Sequence, residues 1–404
     1  MIPLGTIPRR KSYFAAGSIF RLAGSIAGAA PRGEAVAKFE SALKKTLRLP
    51  NPCAVSSGRL ALRLILETSG LEPGREILMP AYTFGLLYPA VRASGFVPVA
   101  VDIDPATFQI DPLKTGEAIT ERTGAVLATH LFGEPCDVDA FRELCNSRGL
   151  LMIEDCAQAP GARSRGWRTG TVGDAAFMSL DVSKTLNGIR GGVVITRDDE
   201  WAARLRARVE HEMIGVPDTG YAVMKALAEH VLIQSPAWRV VMIATGSERI
   251  QKALMSVYRH GETGPGAAAQ TTGLRVLPLD GALAGLALMN LATLDERHAR
   301  RREIRALYME LLSDVLEFQK IDSRDEGAVH MVVARSPVDV GRLKARLAVA
   351  GIDIGTGNEI ADVCSDDAEE TKRFAAGAVC LPVHCGMTDR TVRYVSEKIR
   401  TVMK

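Results

Sequence analysis

The chain predicts an α/β protein, a mostly parallel sheet covered by helices on both faces and followed by a small C-terminal α+β unit. Three observations carry this expectation. From about residue 53 to 196, short strands alternate with helices. Those strands are apolar runs closed by turn residues, the pattern of strands buried on both faces. The length of 404 residues, with 47% apolar and 24% charged residues, suits a globular chain of two or three domains, or one large domain with a small appendix.

Taken in order, Arg59 to Ser69 reads as a helix, with Leu60, Leu62, Leu64, Ile65 and Leu66 apolar and Ser-Gly before it. Glu76 to Pro80 is a short strand closed by proline, Gly85 to Ser94 a helix and Val97 to Ile103 a strand. Ala125 to His130 is a strand that runs into a Gly133/Pro135 turn. Asp137 caps a helix that reaches Arg148 and stops at Gly149. Strands follow from Leu150, Ala175 and Gly192. The chain is then helical from Asp198 to about Arg259, and Gly261 to Gly273 reads as a loop. Leu279 to Leu312 reads as one long helix, strongly basic at Arg297, Arg300, Arg301, Arg302 and Arg305. Glu296, Glu303 and Glu310 interleave with those arginines, which reads as an exposed helix laced with ion pairs. Ala328 to Ala334 is a strand, Val338 to Ala350 a helix and Thr388 to Val402 a terminal helix.

Composition excludes several function classes. A net charge of +3 does not call for nucleic acid. The seven cysteines are odd in number and show no CxxC or Cys/His metal spacing, which reads as a reduced, cytoplasmic protein. His211, His230 and His260 are scattered, and Asp366-Asp367 with Glu369-Glu370 reads as a solvated acidic turn, so no metal site is expected. No uninterrupted apolar run reaches the roughly 18–20 residues that span a bilayer. Arg9-Arg10-Lys11 and the stretch after it have a faint signal-peptide look, but Arg21 breaks the apolar run.

Ligands of such sheets sit at the carboxyl ends of the strands. Three groups fall there. Lys184 follows the strand from Ala175, Asp155 closes the strand from Leu150, and Val55-Ser-Ser-Gly58 opens a helix whose first turn is suited to phosphate. A lysine amine, a carboxylate and a phosphate cradle are the fixtures that pyridoxal phosphate (PLP) needs. Singly, each has a plainer reading: a lysine after a strand is usually surface, and an acid at a strand end often caps the next helix.

The ordered set resembles the DegT/DnrJ/EryC1/StrS family of PLP-dependent sugar aminotransferases. The resemblance rests on Ala54-Val-Ser-Ser-Gly58, Pro80-Ala-Tyr-Thr-Phe84, Val101-Asp-Ile-Asp-Pro105, His130-Leu-Phe-Gly-Glu-Pro135, Ile153-Glu-Asp-Cys-Ala-Gln158 and Gly170-Thr-Val-Gly-Asp174, with Leu381-Pro-Val-His384 near the end. It implies a fold-type I architecture, with a seven-stranded sheet in a three-layer α/β/α domain. The implied division is a divergent segment over 1–31, a large cofactor-binding domain over 32–270, a long connecting helix over 271–312 and a small α+β domain over 313–404. By position, Lys184 is implied as the Schiff-base lysine and acid/base, and Asp155 as the partner of the pyridinium nitrogen. Phe84 is implied to stack on the ring, Ser57, Gly58 and Ser179 to bind phosphate, and Gln158 to lie near the phenolic oxygen. The implied reaction moves an amino group from an amino acid, glutamate in this family, to a keto group of a sugar or sugar nucleotide, within a homodimer that shares its active site.

The chain departs from the family in places. Arg59 stands where a threonine is usual, Arg190 replaces an acid before Gly191-Gly192, and Pro160 replaces a histidine. Gly273-Leu-Arg-Val-Leu277 occupies the place of a segment whose asparagine reaches the neighbouring subunit's phosphate. Arg59 either supplies the missing phosphate donor or points to solvent. The segment 211–272 is unusually apolar, as at Leu232, Ile233, Trp238, Val241 and Met242. A buried dimer contact is the plainer account of it, and a peripheral membrane or lipid contact the other. Two alternatives therefore stay open: aminotransfer to a non-sugar or lipid-linked ketone, and a non-transaminating regulatory protein on the same fold.

Overall fold

A computed structural model describes residues 6–15, 17–18, 32–211, 219–235, 237–245 and 278–404. Seven strands form the main sheet: β1 (Cys53–Val55), β2 (Glu76–Pro80), β3 (Val97–Val101), β4 (Thr123–Thr129), β5 (Leu151–Asp155), β6 (Ala175–Ser179) and β7 (Gly192–Thr196). Their order is β1-β7-β6-β5-β4-β2-β3. The four pairings from β6 to β3 are parallel, while β7 runs antiparallel to both β6 and β1. The mostly parallel seven-stranded sheet expected from the sequence is present. Strand periodicity explains its two buried faces. Ala176 and Met178 pack on one face with Val193 and Ile195, while Ala175 and Phe177 pack on the other with Val194. Phe177 is 1% exposed, and burying such a ring contributes about 1.5–3 kcal/mol.

Helices cover both faces. They are α1 (Arg32–Leu47), α2 (Gly58–Thr68), α3 (Leu87–Ala93), α4 (Val138–Arg148), α5 (Asp199–His211) and α6 (Thr219–Gln234); α7 (Ala237–Thr245) follows and packs on α6. Helix α2 starts where Ser57 accepts the Leu60 N–H at 3.2 Å, and it buries Leu60, Leu62, Leu64, Ile65 and Leu66. Helix α4 is capped by Asp137 and ends at Gly149, whose φ of 64° is the left-handed conformation that glycine adopts without penalty. The expected loop from Gly261 to Gly273, His260 and the Gly273–Leu277 stretch lie outside the described residues.

The expected long helix is two helices, α8 (Gly281–Leu291) and α9 (Leu294–Leu312). A side chain of the following helix makes the break. Arg297 Nη2 takes the Asn290 carbonyl at 2.6 Å, the acceptor a continuous helix would need there, and Arg297 Nε meets Thr293 Oγ1 at 3.3 Å. Nor is α9 simply an exposed basic helix. Arg300 pairs with Glu303 and Asp389, and Arg305 with Glu134, but Arg297 and Arg301 are buried.

A second, antiparallel sheet follows, made of β8 (Glu317–Phe318), β9 (Val332–Arg335), β10 (Gly355–Thr356) and β11 (Ala378–Leu381) in the order β8-β9-β11-β10. With it come α10 (Val340–Val349), α11 (Glu369–Gly377) and α12 (Asp389–Met403). Ile304 and Tyr308 of α9, Leu347 of α10 and Val395 of α12 fill its core. Strand β9 begins later than the expected Ala328. The preceding stretch is bonded to the turn after β4 instead, Ala328 N–H to Gly133 O at 2.8 Å and Met331 N–H to Phe132 O at 3.0 Å. Strand β3 ends early, at Val101, because the next residue, Asp102, accepts the first N–H groups of α11 from Glu370 and Thr371.

The N-terminal segment belongs to this framework. Ile7 bridges Ile352, with its N–H on Gly351 O at 2.8 Å, and Arg9 pairs with Glu359 at 2.8 Å.

Candidate active site

The strand ends assemble the first wall of the site. Asp155 closes β5, Ser179 closes β6, and β1 leads through Ser57 into α2. Two glycines permit the fit. A Cβ at Gly192, which pairs with Ser179, would lie 2.4 Å from Ser57 O. A Cβ at Gly58 would lie 3.1 Å from that of Ser179. Ser57, Gly58 and Ser179 are thereby gathered at the N-terminal end of α2, where the helix dipole favours an anion. Arg59 is the second residue of that helix and is half-buried.

Lys184 lies in the turn after β6, its N–H on Asp181 O at 2.9 Å. Burial lowers the pKa of its amine; Asp181 and Asp155 oppose that shift and Arg10 adds to it. Asp155 is 5% exposed. Burial raises its pKa, against the Ala157 N–H bonded at 2.9 Å and the nearby Lys184 amine. Both groups are thus biased toward their neutral forms by lack of water, and each partly offsets the other's cost.

Glu154, next to Asp155, is arranged differently. Its carboxylate accepts the N–H groups of Gly170, Val172 and Gly173 at 2.8, 2.9 and 2.7 Å and meets His130 Nε2 at 3.0 Å. Burial raises its pKa, but the His130 contact and those N–H groups outweigh burial and keep it below the ordinary range. His130 Nδ1 accepts the Cys136 N–H at 3.2 Å, so its proton sits on Nε2 and points at Glu154. Cys156 lies within reach of this pair. The His130 and Glu154 atoms are committed to protein hydrogen bonds, so the trio braces the strand end rather than offering a metal its ligands.

Gln158 Oε1 accepts the Phe132 N–H at 2.9 Å, fixing the turn after β4. Phe84 is 45% exposed in the turn after Tyr82–Thr83, a large apolar side chain left uncovered. Arg190 is exposed.

A second wall goes beyond what the sequence motifs suggest. Arg297 Nη1 donates to the carbonyl of Thr185, the residue after Lys184, at 2.6 Å. Its guanidinium lies 4.2 Å from the centre of the Tyr13 ring. Asn187 Nδ2 donates to Tyr13 O at 2.7 Å, and Asn290 joins Asn187 O at 2.8 Å to Ala15 N–H at 3.2 Å. The N-terminal segment, α8 and α9 are therefore bonded to the lysine turn. Arg301, His330 and His384 are likewise less than a tenth exposed. Two signals were visible: the Leu381-Pro-Val-His384 motif, which assigned His384 no role, and the i, i+4 spacing of Arg297 and Arg301, which suits a solvent face equally well.

Comparison with known proteins agrees with this geometry. The DegT/DnrJ/EryC1/StrS aminotransferase family matches over residues 25–223 and 242–400. GDP-perosamine synthase of Caulobacter vibrioides is 37% identical over 174 residues, covering 43% of this chain and 47% of that protein. The dTDP-3-amino-3,4,6-trideoxy-alpha-D-glucose transaminase of Streptomyces venezuelae is 41% identical over 169 residues, covering 42% of this chain and 45% of its own. The chain thus matches about half the length of these curated relatives. Among solved structures, S. venezuelae DesV in complex with a ketimine intermediate superposes with a TM-score of 0.74 at 25% identity, covering 96% of this chain and 95% of DesV. With the motifs in order along the sheet and the match running almost end to end, this chain belongs to the DegT/DnrJ/EryC1/StrS aminotransferase family.

Proposed function

We propose that this chain is a PLP-dependent aminotransferase that moves an amino group from an amino acid, glutamate by family resemblance, to a keto group of a sugar or sugar nucleotide. One observation carries the reading: a half-buried amine, Lys184, and a buried acid, Asp155, act on each other at the carboxyl edge of the sheet, beside the start of α2. The residues suit the cofactor. Gly58 keeps the helix start open to a phosphate, and a cationic ring nitrogen would relieve the strain on the buried Asp155. The names of the relatives support a nucleotide-linked sugar as acceptor.

In this reading Ser57, Gly58, Ser179 and Arg59 would hold the phosphate, Phe84 would stack on the ring and Gln158 would lie near the phenolic oxygen. The Asp155 carboxylate would keep the ring nitrogen protonated. Bound there, the cofactor supplies an electron sink for charge developing at the donor's Cα. Lys184 Nζ would anchor the cofactor and, its pKa lowered by burial, would take the proton from the donor's Cα. The protein works as a cytoplasmic homodimer with a shared site, and exposed Tyr221, Met224, Val231, Val240 and Ile243 on α6 and α7 supply apolar surface for the second copy.

Borohydride reduction of the holoprotein followed by peptide mapping tests the assignment. The pyridoxyl group should be found on Lys184, and a label elsewhere or none at all sinks the reading. Sedimentation of the same preparation at micromolar concentration should give a dimer, and an active monomer rules out the shared site.

A further inference from the structure

Arg301 of α9 is 8% exposed and meets no carboxylate among the described residues. Its Nη1 donates to the carbonyls of Val329 and His330 at 2.9 and 3.3 Å. Buried guanidinium groups are ordinarily paired with an acid, because the charge has been taken out of water. Two imidazoles accompany it. His330 is 8% exposed and its Nδ1 has no hydrogen-bond partner among the described residues; His384 is 9% exposed and neither of its ring nitrogens has one there. Buried polar atoms are almost always satisfied, so three unbonded ring nitrogens around an acid-free guanidinium point to a ligand.

The backbone brings these groups to the lysine. His330 stands in the stretch bonded to Gly133 and Phe132, and Gly133 must be glycine because a Cβ there would lie 2.3 Å from His330 N. Phe132 is held in turn by Gln158. His384 is placed by its neighbours, the Val383 N–H on Arg9 O at 3.0 Å and Cys385 Sγ against Arg297 O at 3.8 Å. Arg297 differs from Arg301: its Nε, Nη1 and Nη2 are all spent on Thr293, Thr185 and Asn290, so it is a positioning residue. Burial first, then the positive charges of Lys184, Arg301 and Arg10, holds the His330 ring well below its usual pKa. Burial, then Arg301 and Lys11, pushes that of His384 down to about 4. The charges that act on these two rings are cations.

We propose that Arg301, His330 and His384 form an oxyanion subsite beside Lys184 that takes a carboxylate of the amino donor. A guanidinium offers a carboxylate parallel N–H donors, and the imidazoles supply further N–H groups to its remaining lone pairs. This inference rests on the aminotransferase reading for the identity of the ligand, while the subsite stands on the cluster itself.

Calorimetric titration of the holoprotein with glutarate, an unreactive dicarboxylate, tests it. Glutarate should bind the wild type, and Arg301→Gln should weaken it by about tenfold to hundredfold, the range for a charge-assisted hydrogen bond. Because Arg301 also ties two carbonyls, His384→Phe is the companion variant. It removes two ring nitrogens that bond none of the described residues, and it should weaken glutarate several-fold with the unfolding midpoint retained. Absence of wild-type binding, or wild-type affinity in both variants, overturns the subsite. A parallel titration with inorganic pyrophosphate separates the sources: if the variants lose pyrophosphate and keep glutarate, the anion belongs to the acceptor and the proposal fails. Borohydride labelling of Lys184 in the same samples keeps the two readings apart. Label with variant-independent glutarate binding removes the subsite alone, and variant-sensitive binding without label removes the aminotransferase reading alone.

Discussion

The wall of strand ends and the wall made by α9 with the N-terminal segment are both buried and polar, yet they are assembled by opposite means. On the first, Asp155, Ser179 and Ser57 sit where strands stop, so each position follows from its own short stretch of chain. On the second, Arg297 touches a residue 112 positions away in sequence and Asn187 one 174 positions away. The first wall therefore tolerates change outside its motifs, whereas the second depends on the whole chain having folded. Chemistry divides along the same line: the acid and the amine stand on the local wall, and the buried cations on the distant one.

Substitutions separate the two. The largest effect is expected at Asp155→Asn. A neutral side chain no longer holds the ring nitrogen protonated, so the glutamate half-reaction should slow by about a hundredfold to a thousandfold. In the cofactor-free protein the same substitution should act the other way. The pKa of Asp155 is raised on folding, so its stabilising contribution is complete below the ordinary carboxyl pKa and is lost as pH rises through the raised value. Above the raised pKa the ionised acid is a cost, and there Asn should raise the Tm of the apoprotein by about 1–3 °C. A wild-type half-reaction, or a lower apoprotein Tm, would show that Asp155 is structural.

Next in size is Arg59→Ala. If the guanidinium completes the phosphate cradle, equilibrium dialysis should show cofactor retention weakened by about tenfold to hundredfold, with little change in the absorbance of what stays bound. Unchanged retention would turn Arg59 toward solvent or the acceptor.

The smallest effect belongs to the distant wall. Tyr13→Phe keeps the ring under Arg297 and removes only the hydroxyl contact with Thr293 at 3.3 Å. Denaturant unfolding should register about 0.5–1.5 kcal/mol, and steady-state kinetics should be nearly unchanged. A large fall in kcat would mean that the hydroxyl reaches the substrate.

This contrast also explains what could be read from the sequence. Strand β5 announces itself as Leu151–Asp155, an apolar run that ends in acid, and the Asp137 cap and Gly149 stop bound α4 almost to the residue. Each is a local pattern with a local cause. The arginines of α9 read as a solvent face because charge on a helix usually is one. Their burial follows from carbonyls contributed by Thr185, Asn290 and Val329, and no feature of residues 297–301 announces those partners. The split between α8 and α9 was hidden for the same reason, since the side chain that takes the Asn290 carbonyl lies seven residues further on. Glu154 and Asp155 show the limit most sharply. As adjacent acids they look interchangeable, yet three backbone N–H groups from the 170–173 loop saturate the first and leave the second strained.

The seating of residues 7–15 has a practical side for recombinant work. A stretch that aligns poorly with relatives is a common first choice for trimming or for carrying a purification tag. Here one cut before Ala15 would remove the Ile7 bridge to Ile352, the Arg9 clamp on Glu359 and the Tyr13 carbonyl that holds Asn187. Loss of yield or turnover in such a deletion would reflect a missing structural strap, and would be easily mistaken for a catalytic defect.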